Sequence, residues 1–502
     1  MPRILLTITV LLSAIAVAAG CGSGGSSASG AASLAPAGAV VYGEATLDPS
    51  DDQQAAIDGL IEKFPGEGSA GERIRGLLEK AFSESDTGLS YAKDIEPWLG
   101  DRAGFFVASL TPGADSSAAL LVATDDEGKA RDAIEKAAKA DDGKAAAYKG
   151  HDYYAISDGA AGVVDGWVVL GSESGFKAVV DTAEGGPPIE DDDAYTKALD
   201  DAPEERLGFL YFNTPAFVKQ LQKTGAGASL GPFAGLFKDP LLATFNATEQ
   251  GVRLEATLPE SLSAAFPILG DSGGRAADLP ADSWLAIAQP DLGKAISYFV
   301  DAFGGLAGGR DMLAQQLKAA TGLDLEQDVI SWMGDWGLFV RGESVAELSG
   351  ALVVETSDEA ASARFIDAVA RLARKGDANV TGRDGGVTLR SPEVPEPIHL
   401  FQREGKVVLA YGDGAAADAL DPGETLGDTQ AYKDAQEALG GDYDLSFYLG
   451  FEPILALVDS TGAGDDEGWR KVKPYLEPLG ALVVGARKDG DRLRSAFGIT
   501  VK

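Results

Sequence analysis

The chain has 502 residues, of which 45 % are hydrophobic and 24 % charged, as is ordinary for a globular protein of two to four domains. Its 78 acidic and 42 basic residues give a formal net charge of −36, so the surface repels phosphate groups and we expect no nucleic-acid partner. The single cysteine, Cys21, excludes a disulfide framework and a cysteine-based metal cluster.

The N-terminus has the pattern of an export signal. An apolar stretch of 16 residues, 4–19, follows Arg3, and it is shorter than the roughly 20 residues that a membrane-spanning helix needs. Small residues end the stretch, so residues 1–20 are predicted to be a signal peptide. The run 18–21, AAGC, resembles the lipobox of bacterial lipoproteins, with Ala18 where leucine is usual. The resemblance implies that Cys21 is lipidated and becomes the new N-terminus; an ordinary cleaved signal is the alternative.

The segment that begins at Cys21 is rich in glycine and serine. Residues 21–33 are therefore predicted to form a flexible tether between the lipid and a folded body. The body would then lie on the outer face of the bacterial cytoplasmic membrane. Acyl chains would hold it there, because an acidic surface does not favour anionic headgroups. The membrane is thus the first expected partner.

The rest of the chain alternates short strands and helices. In the first half, apolar patterns predict strands over residues 40–46, 104–110, 118–124, 153–156, 162–164, 167–170, 207–212, 241–248 and 252–258. Helices are predicted near residues 57–61 and 74–82 and over 129–140, 174–182 and 194–199. The Asp165-Gly166 pair between two apolar runs is a strong hairpin signal. Because dense hairpins favour antiparallel pairing, we expect an α+β fold with a mostly antiparallel sheet and helices packed on one face.

A second copy of this pattern fills the C-terminal half. The segment 94–101, DIEPWLGD, returns 234 residues later as DVISWMGD at 328–335. Further matches keep the same order, and their spacing drifts slightly, as expected if insertions lie in surface loops. We therefore predict two homologous tandem domains, residues 34–260 and 279–502, joined by a linker at 261–278.

Two glycine-rich motifs resemble functional signatures but lack their context. The run 270–274, GDSGG, fits the serine motif of trypsin-like proteases, yet it has linker composition and no strand precedes it. The run 66–71, GEGSAG, spells a dinucleotide fingerprint, but a helical segment precedes it instead of a strand. We interpret the first as part of the linker and the second as a loop between helices.

No metal site or cofactor is predicted. His151 and His399 are the two histidines, too few for a conventional histidine-rich zinc site. The acidic runs 191–193 and 465–467 could attract calcium, but neither has the spacing of a calcium-binding loop. Solvated loops or acids at the start of a helix are the preferred interpretation, because such acids complement the helix dipole.

The repeated Trp-x-Gly-Asp element has two interpretations. In the first, Trp98 and Asp101, with their twins Trp332 and Asp335, face a ligand and are the candidate site residues. In the second, which we favour, both tryptophans are core anchors and the glycine of each element ends a helix. Retention of the element in both copies then needs only shared structure.

The order of these features resembles one protein family. It comprises a proline before the first strand, the Trp-Leu-Gly-Asp element, the helix that starts at Ala194-Tyr195 and the Leu207-x-Phe209 strand. The family is the bacterial domain of unknown function 3352, found mostly in secreted or anchored proteins of actinobacteria. The resemblance covers nearly the whole chain after the signal, and it implies no reaction, cofactor or catalytic residue.

Because no group of residues meets the requirements of a catalytic site, we expect a lipid-anchored cell-envelope protein that binds a ligand or scaffolds an envelope partner, without catalysis. A carrier of a lipid or other apolar molecule is the sharper form of this hypothesis, and it requires an apolar cavity between sheet and helices. The alternative is a hydrolase that uses a pair of carboxylates roughly 5–9.5 Å apart in a cleft.

Overall fold

The computed structural model describes residues 30–502, except for residues 86, 110–116, 158, 204–205, 224–237, 259–272, 304–308, 377, 393 and 490–491. The predicted signal peptide, Cys21 and most of the predicted tether therefore lie outside the described residues, as does most of the 270–274 motif. The chain forms two compact units that divide between Glu249 and Gln250.

Each unit is built on β-strands that alternate with helices. The first unit contains β1 (Val41–Thr46), β2 (Leu99–Val107), β3 (Ala118–Thr124), β4 (Lys144–Tyr148), β5 (His151–Ile156), β6 (Gly159–Val164), β7 (Trp167–Gly171), β8 (Gly208–Phe212) and β9 (Leu241–Thr248). The second unit contains β10 (Gly251–Leu258), β11 (Leu285–Gln289), β12 (Met333–Arg341), β13 (Ser349–Thr356), β14 (Asn379–Arg383), β15 (Gly386–Ser391), β16 (Val394–Arg403), β17 (Lys406–Tyr411), β18 (Asp444–Gly450), β19 (Leu479–Asp489) and β20 (Arg492–Val501).

The α-helices lie between these strands in both units. In the first unit they are α1 (Asp51–Glu62), α2 (Ala70–Glu84), α3 (Glu127–Ala140), α4 (Glu173–Ala183), α5 (Asp193–Asp200) and α6 (Thr214–Lys223). In the second unit they are α7 (Leu292–Phe303), α8 (Arg310–Thr321), α9 (Glu359–Lys375), α10 (Asp413–Asp418), α11 (Gln430–Ala438), α12 (Phe451–Ser460) and α13 (Glu467–Leu476). The run 66–71 spans the loop between α1 and α2 and the first residues of α2.

The strands pair in the same order in the two units. The first sheet runs β9-β8-β1-β2-β3-β7-β6-β5-β4, with antiparallel pairings throughout its described residues. The second runs β10-β20-β19-β18-β11-β12-β13-β17-β16-β15-β14, again antiparallel. From β19 to β14 the second unit follows the order of the first strand for strand, and β20 and β10 extend it.

Local sequence fixes the turns and the helix starts. Asp165 and Gly166, with φ of 47° and 79°, join β6 to β7 in the left-handed conformation that suits a tight hairpin, as predicted. The carboxylate of Asp192 accepts hydrogen bonds from two backbone N–H groups at the start of α5, and that of Asp466 accepts one at the start of α13. The two acidic runs thus supply helix caps.

Strands β2 and β12 each carry a bulge near their start. Between Leu99 and Ala103 the first advances four residues while its partner β3 advances two. Between Met333 and Trp336 the second advances three residues while β13 again advances two. The bulge of the first unit is therefore one residue longer, and the register is regular beyond it in both units.

Helices pack on both faces of the sheet. In the first unit Leu120 shares a core cluster with Ile134 of α3, whereas its neighbour Leu121 shares another with Phe176 of α4. The predicted α+β class with antiparallel pairing is confirmed, but the structure has helices on two faces where one was predicted. The reason is that β3 is apolar at consecutive positions, and such a strand is buried on both sides.

The limits of the units also differ from the predicted domains. Residues Ala31–Ser33, predicted as tether, form a short 3-10 helix whose first two side chains are buried in the first core. Strand β10, assigned to the first domain, lies in the second unit, where it pairs with β20. The described part of the predicted linker forms a 3-10 helix, Arg275–Asp278, and Ala276 packs in the second core.

Candidate functional site

The second sheet has one closed face and one half-open face. Ala286, Phe339 and Val483, on three different strands, are completely buried under the helices of the closed face. Their chain neighbours Ile287 and Leu338 point to the other side of the sheet and are only half-buried. This alternation separates a solid core from a face that keeps contact with solvent.

The half-open face is apolar across many strands. Side chains opposite each other on neighbouring strands share a face, and the cross-strand pairings place the following half-buried or exposed residues together. They are Leu285, Ile287, Leu338, Val340, Leu352, Phe447, Leu449, Leu482, Ile499, Phe497, Leu254 and Val252. We call this set the apolar face of the second unit.

Two apolar helices flank this face. Helix α7 follows β11 and contacts β12, and α12 follows β18 and contacts β19. Leu292 of α7 is partly buried and packs against the same buried cluster as Leu352 of the apolar face. Yet apart from Gly293 no residue of α7 whose exposure the structure describes is buried, and Phe299 is 62 % exposed. Helices of this composition are normally covered, whereas α7 keeps apolar side chains half-buried or exposed.

The first unit has a matching face. Tyr42, Phe106 and Tyr211 are completely buried on its closed side. The opposite side carries half-buried or exposed apolar residues that the pairings of β1, β2, β8 and β9 bring together. They are Val41, Phe105, Val107, Leu210, Phe212, Leu241, Ala243 and Phe245. Both units therefore present one apolar face that their helices do not fully cover.

The two repeated tryptophans are core residues. Trp98 and Trp332 are 5 % and 1 % exposed, and each indole N–H donates to a backbone carbonyl four residues earlier, at 2.6 Å and 3.0 Å. Short π-helical turns, Tyr91–Ile95 and Leu325–Ile330, set up this geometry. The indoles thus pack inside the molecule, with their polar atom already paired.

The glycines of the element do not cap helices, so that part of our interpretation was wrong. Gly100 and Gly334 lie in the first residues of β2 and β12, without the left-handed φ that a helix cap requires. At Gly100 a Cβ atom would come within 2.9 Å of the backbone of Ala123 on the neighbouring strand. Close approach of two strands, rather than a turn, explains the glycine.

The two aspartates of the element have different surroundings. The carboxylate of Asp335 accepts the backbone N–H of Asp291 at 3.0 Å and forms an ion pair with Arg275, which fixes the chain between β11 and α7. The carboxylate of Asp101 has one buried oxygen without a hydrogen bond, 3.6 Å from Nε of Arg102. Asp335 therefore positions the helix that flanks the apolar face, and Asp101 has no such contact.

The sequence profile of the family described as "Protein of unknown function (DUF3352)" matches residues 4–463. This is far more than half of the chain. The chain belongs to the DUF3352 family. The family resemblance found in the sequence is thereby confirmed.

Among solved structures, those of TP0453 share a distant similarity with this DUF3352 chain. Crystal form III gives a TM-score of 0.26 with 14 % identity, covering 46 % of the DUF3352 chain and 80 % of that chain. Crystal form IV gives 0.25 with 14 % identity, covering 47 % and 81 %. TM-scores and identities this low do not support any inference about function. No curated protein matches the DUF3352 chain significantly.

One polar group in the DUF3352 chain escaped the sequence analysis. Nδ1 of His399 lies 3.0 Å from the hydroxyl of Thr388, and Nε2 lies 2.9 Å from the carboxylate of Asp413. Thr388 and His399 face each other on β15 and β16, and Asp413 is the first residue of α10. The sequence gives no sign of this contact because the three residues are distant from one another and meet only through strand pairing. The group ties α10 to the sheet.

The buried His399 is expected to make stability depend on pH. Burial lowers the pKa of His399, the charge of Arg383 lowers it further, and Asp413 acts in the opposite direction. In the unfolded chain the pKa of this histidine is near 6.5, so the unfolded chain binds the proton more readily than the folded chain does. The stabilisation present above about pH 6.5 therefore declines as the pH falls. The His399→Gln variant should show a smaller decline in unfolding free energy between about pH 7.5 and pH 5.5. Urea unfolding at each pH measures it, and equal declines would contradict the assignment.

His151 and Glu255, two further candidates in the DUF3352 chain, are each paired with neighbouring side chains. His151 pairs with Glu184 on the surface of the first unit, 3.2 Å apart. Glu255, the one acidic residue in the buried set of the described part, accepts from Tyr443 at 2.6 Å and pairs with Arg494 at 3.0 Å. Its partners are thus a phenol and a guanidinium, and a second carboxylate, which the hydrolase alternative requires, is not one of them.

Within the described part of the DUF3352 chain, no helix combines the length and the apolar composition needed to cross a bilayer. The same residues contain no group of three or more His, Cys, Asp or Glu side chains arranged to hold a metal ion.

Proposed function

We propose that this protein is a lipid-anchored, extracytoplasmic envelope protein that binds an apolar ligand on the half-open faces of its sheets. The observation that carries the proposal is the contrast between the two sides of one strand. In β12, Phe339 is completely buried, while Leu338 and Val340 beside it are apolar and only half-buried. The predicted signal and Cys21 supply the anchor in this proposal.

The physical argument rests on the free energy of exposed apolar surface. Covering such surface stabilises a complex by about 25 cal/mol per Å². Contiguous apolar patches on soluble proteins mark sites where another molecule binds. Binding sites for small molecules are lined mostly by apolar side chains. This sheet face is apolar, and α7 and α12 contact its strands. An acyl chain or another extended hydrocarbon fits a face that crosses many strands.

Native mass spectrometry tests the proposal directly. The chain with Cys21→Ser, which cannot be lipidated, is purified without detergent and measured under native and denaturing conditions. We expect additional mass in the native state that disappears on denaturation, and its value identifies the class of ligand. A bare protein under both conditions would contradict ligand carriage and favour the scaffolding role, which crosslinking in the envelope would then address.

Polar substitutions on the apolar face should weaken binding. Replacing Leu338 and Leu482 together by serine removes apolar contact area from two strands, and we expect the affinity for a fluorescent hydrocarbon, diphenylhexatriene, to fall about tenfold or more. Fluorescence titration measures the change. The control is Val345→Ser, because Val345 is also apolar and is 58 % exposed but lies outside the sheet. Equal losses in both variants would show that the face is not the site.

A further inference from the structure

The apolar face of the second unit ends in a row of three residues, Gln289, Trp336 and Val354, of which the first two carry polar atoms. Gln289 of β11 lies opposite Trp336 of β12, which in turn lies opposite Val354 of β13. Side chains two residues apart share a face, so Gln289 follows Ile287 and Trp336 precedes Leu338 on the same side of the sheet. The row therefore belongs to the face that we propose as a binding site.

Three polar atoms in this row have no hydrogen-bond partner. They are both amide atoms of Gln289, Oε1 and Nε2, and the indole Nε1 of Trp336, and all are buried. Gln289 as a whole is 1 % exposed. Each buried polar atom without a partner destabilises the fold, and natural proteins satisfy nearly all of them. Such a cluster, two residues on adjacent strands, points to a partner that comes from outside the chain.

The first unit has no polar side chain in the equivalent row. The same strand pairings place Ala45 opposite Ala103, and Ala103 opposite Val122. Ala103 and Val122 form a buried apolar cluster with Trp98, and Ala45 packs against it. In the second unit Trp336 packs in the same way against the cluster of Trp332 and Val354. Glutamine and tryptophan in the second unit are therefore not required by the fold, because the first unit forms the same pairings with alanines.

The chemistry of the row defines the group that it can hold. A glutamine amide donates and accepts, whereas an indole only donates, so a matching ligand offers at least one acceptor oxygen and one hydroxyl. The row itself carries no charge, and the nearby carboxylate of Asp335 is already paired with Arg275. A charged headgroup would lack a counterion here, which favours a neutral one.

We infer that the second unit binds a neutral lipid of the diacylglycerol type, with its acyl chains on the apolar face and its ester and hydroxyl groups on Gln289 and Trp336. This inference rests on the proposed function and specifies its ligand. The ester carbonyl accepts from Trp336 Nε1 and from the Gln289 amide, and the free hydroxyl donates to Gln289 Oε1. Apolar sites commonly use such a pair of polar groups to fix the orientation of a ligand.

The test compares two probes on the Cys21→Ser chain. Dioleoylglycerol carries the ester and hydroxyl groups, whereas diphenylhexatriene is a hydrocarbon and makes no hydrogen bonds. Gln289→Leu and Trp336→Phe each should lower the affinity for dioleoylglycerol about tenfold and leave that for diphenylhexatriene unchanged. The midpoint of thermal unfolding of the ligand-free Gln289→Leu chain should stay the same or rise, because an unpaired amide is removed.

The control variant is Trp284→Phe, which removes an indole that donates to the backbone carbonyl of Gly342 at 3.0 Å. It should lower the unfolding midpoint and leave both affinities unchanged. If the wild-type chain binds neither probe, the proposed function itself fails. If it binds both and the Gln289 and Trp336 variants keep full affinity for dioleoylglycerol, the inference is overturned and an internal water is the partner of the row.

Discussion

Replacement of Trp332 by alanine is expected to lower the free energy of unfolding of the second unit by about 3–5 kcal/mol. The indole is 1 % exposed and lies in a cluster with Val354, Ile366 and Leu400. Its removal leaves a cavity that a sheet between two helical layers cannot close. Trp332→Phe should cost less, but it leaves the carbonyl of Asp328 without the 3.0 Å hydrogen bond from the indole. Urea unfolding followed by circular dichroism measures both variants.

The control for this prediction is Trp469→Ala. That indole is half-buried and donates to the carboxylate of Asp459 at 2.8 Å at the surface, so its loss should cost on the order of 1 kcal/mol. The first interpretation of the repeated element, in which Trp332 faces a ligand, requires the opposite pattern. It requires unchanged stability in Trp332→Ala together with loss of the additional mass in native spectra.

Replacement of Cys21 by serine should move the protein from the membrane fraction to the soluble fraction of a bacterial host. The acyl chains on Cys21 would hold the protein, since each buried CH₂ contributes about 0.8 kcal/mol and two or more chains give stable anchoring. A surface with a net charge of −36 gives no electrostatic attraction to anionic lipid that could replace them. Fractionation and intact mass of the wild-type and variant chains provide the readout.

Two further variants sharpen this experiment. Ser23→Ala changes a hydroxyl two residues away and should leave fractionation unchanged. Ala18→Leu restores the residue usual at that position of a lipobox and should speed the appearance of the lipidated form. A Cys21→Ser chain that stays in the membrane fraction after a high-salt wash would refute the anchor, and the unlipidated mass of wild-type chain would favour an ordinary cleaved signal.

The sequence was sufficient for the fold class because its signals are local. Turn pairs such as Asp165-Gly166 and the repeated segment around Trp98 and Trp332 determine hairpins and core positions within a few residues. The layers of helices could not be assigned in the same way. A strand such as β3, apolar at consecutive positions, indicates burial on both sides, but the pattern alone does not show which helix covers which side.

The candidate site could not be predicted from the sequence, for a related reason. Strand β12 carries apolar residues on both faces, and nothing in its pattern distinguishes completely buried Phe339 from half-buried Leu338. Exposure depends on how far α7 and α12 cover the sheet, which is a property of packing. The pair Gln289 and Trp336 is invisible as well, because the two residues are opposite each other only in the register that follows the bulge of β12.

The different bulge lengths decide which residues of the two units are equivalent. The first unit has one residue more in its bulge than the second, so a comparison at constant spacing matches Phe105 with Phe339, although the pairings match Phe106 with it. A length change of a single codon at this point is absorbed locally and places a different side chain in the row of Ala103 or Trp336. Under the proposed function, a relative that gains or loses one residue here places a different side chain against the ligand, while every other strand keeps its place.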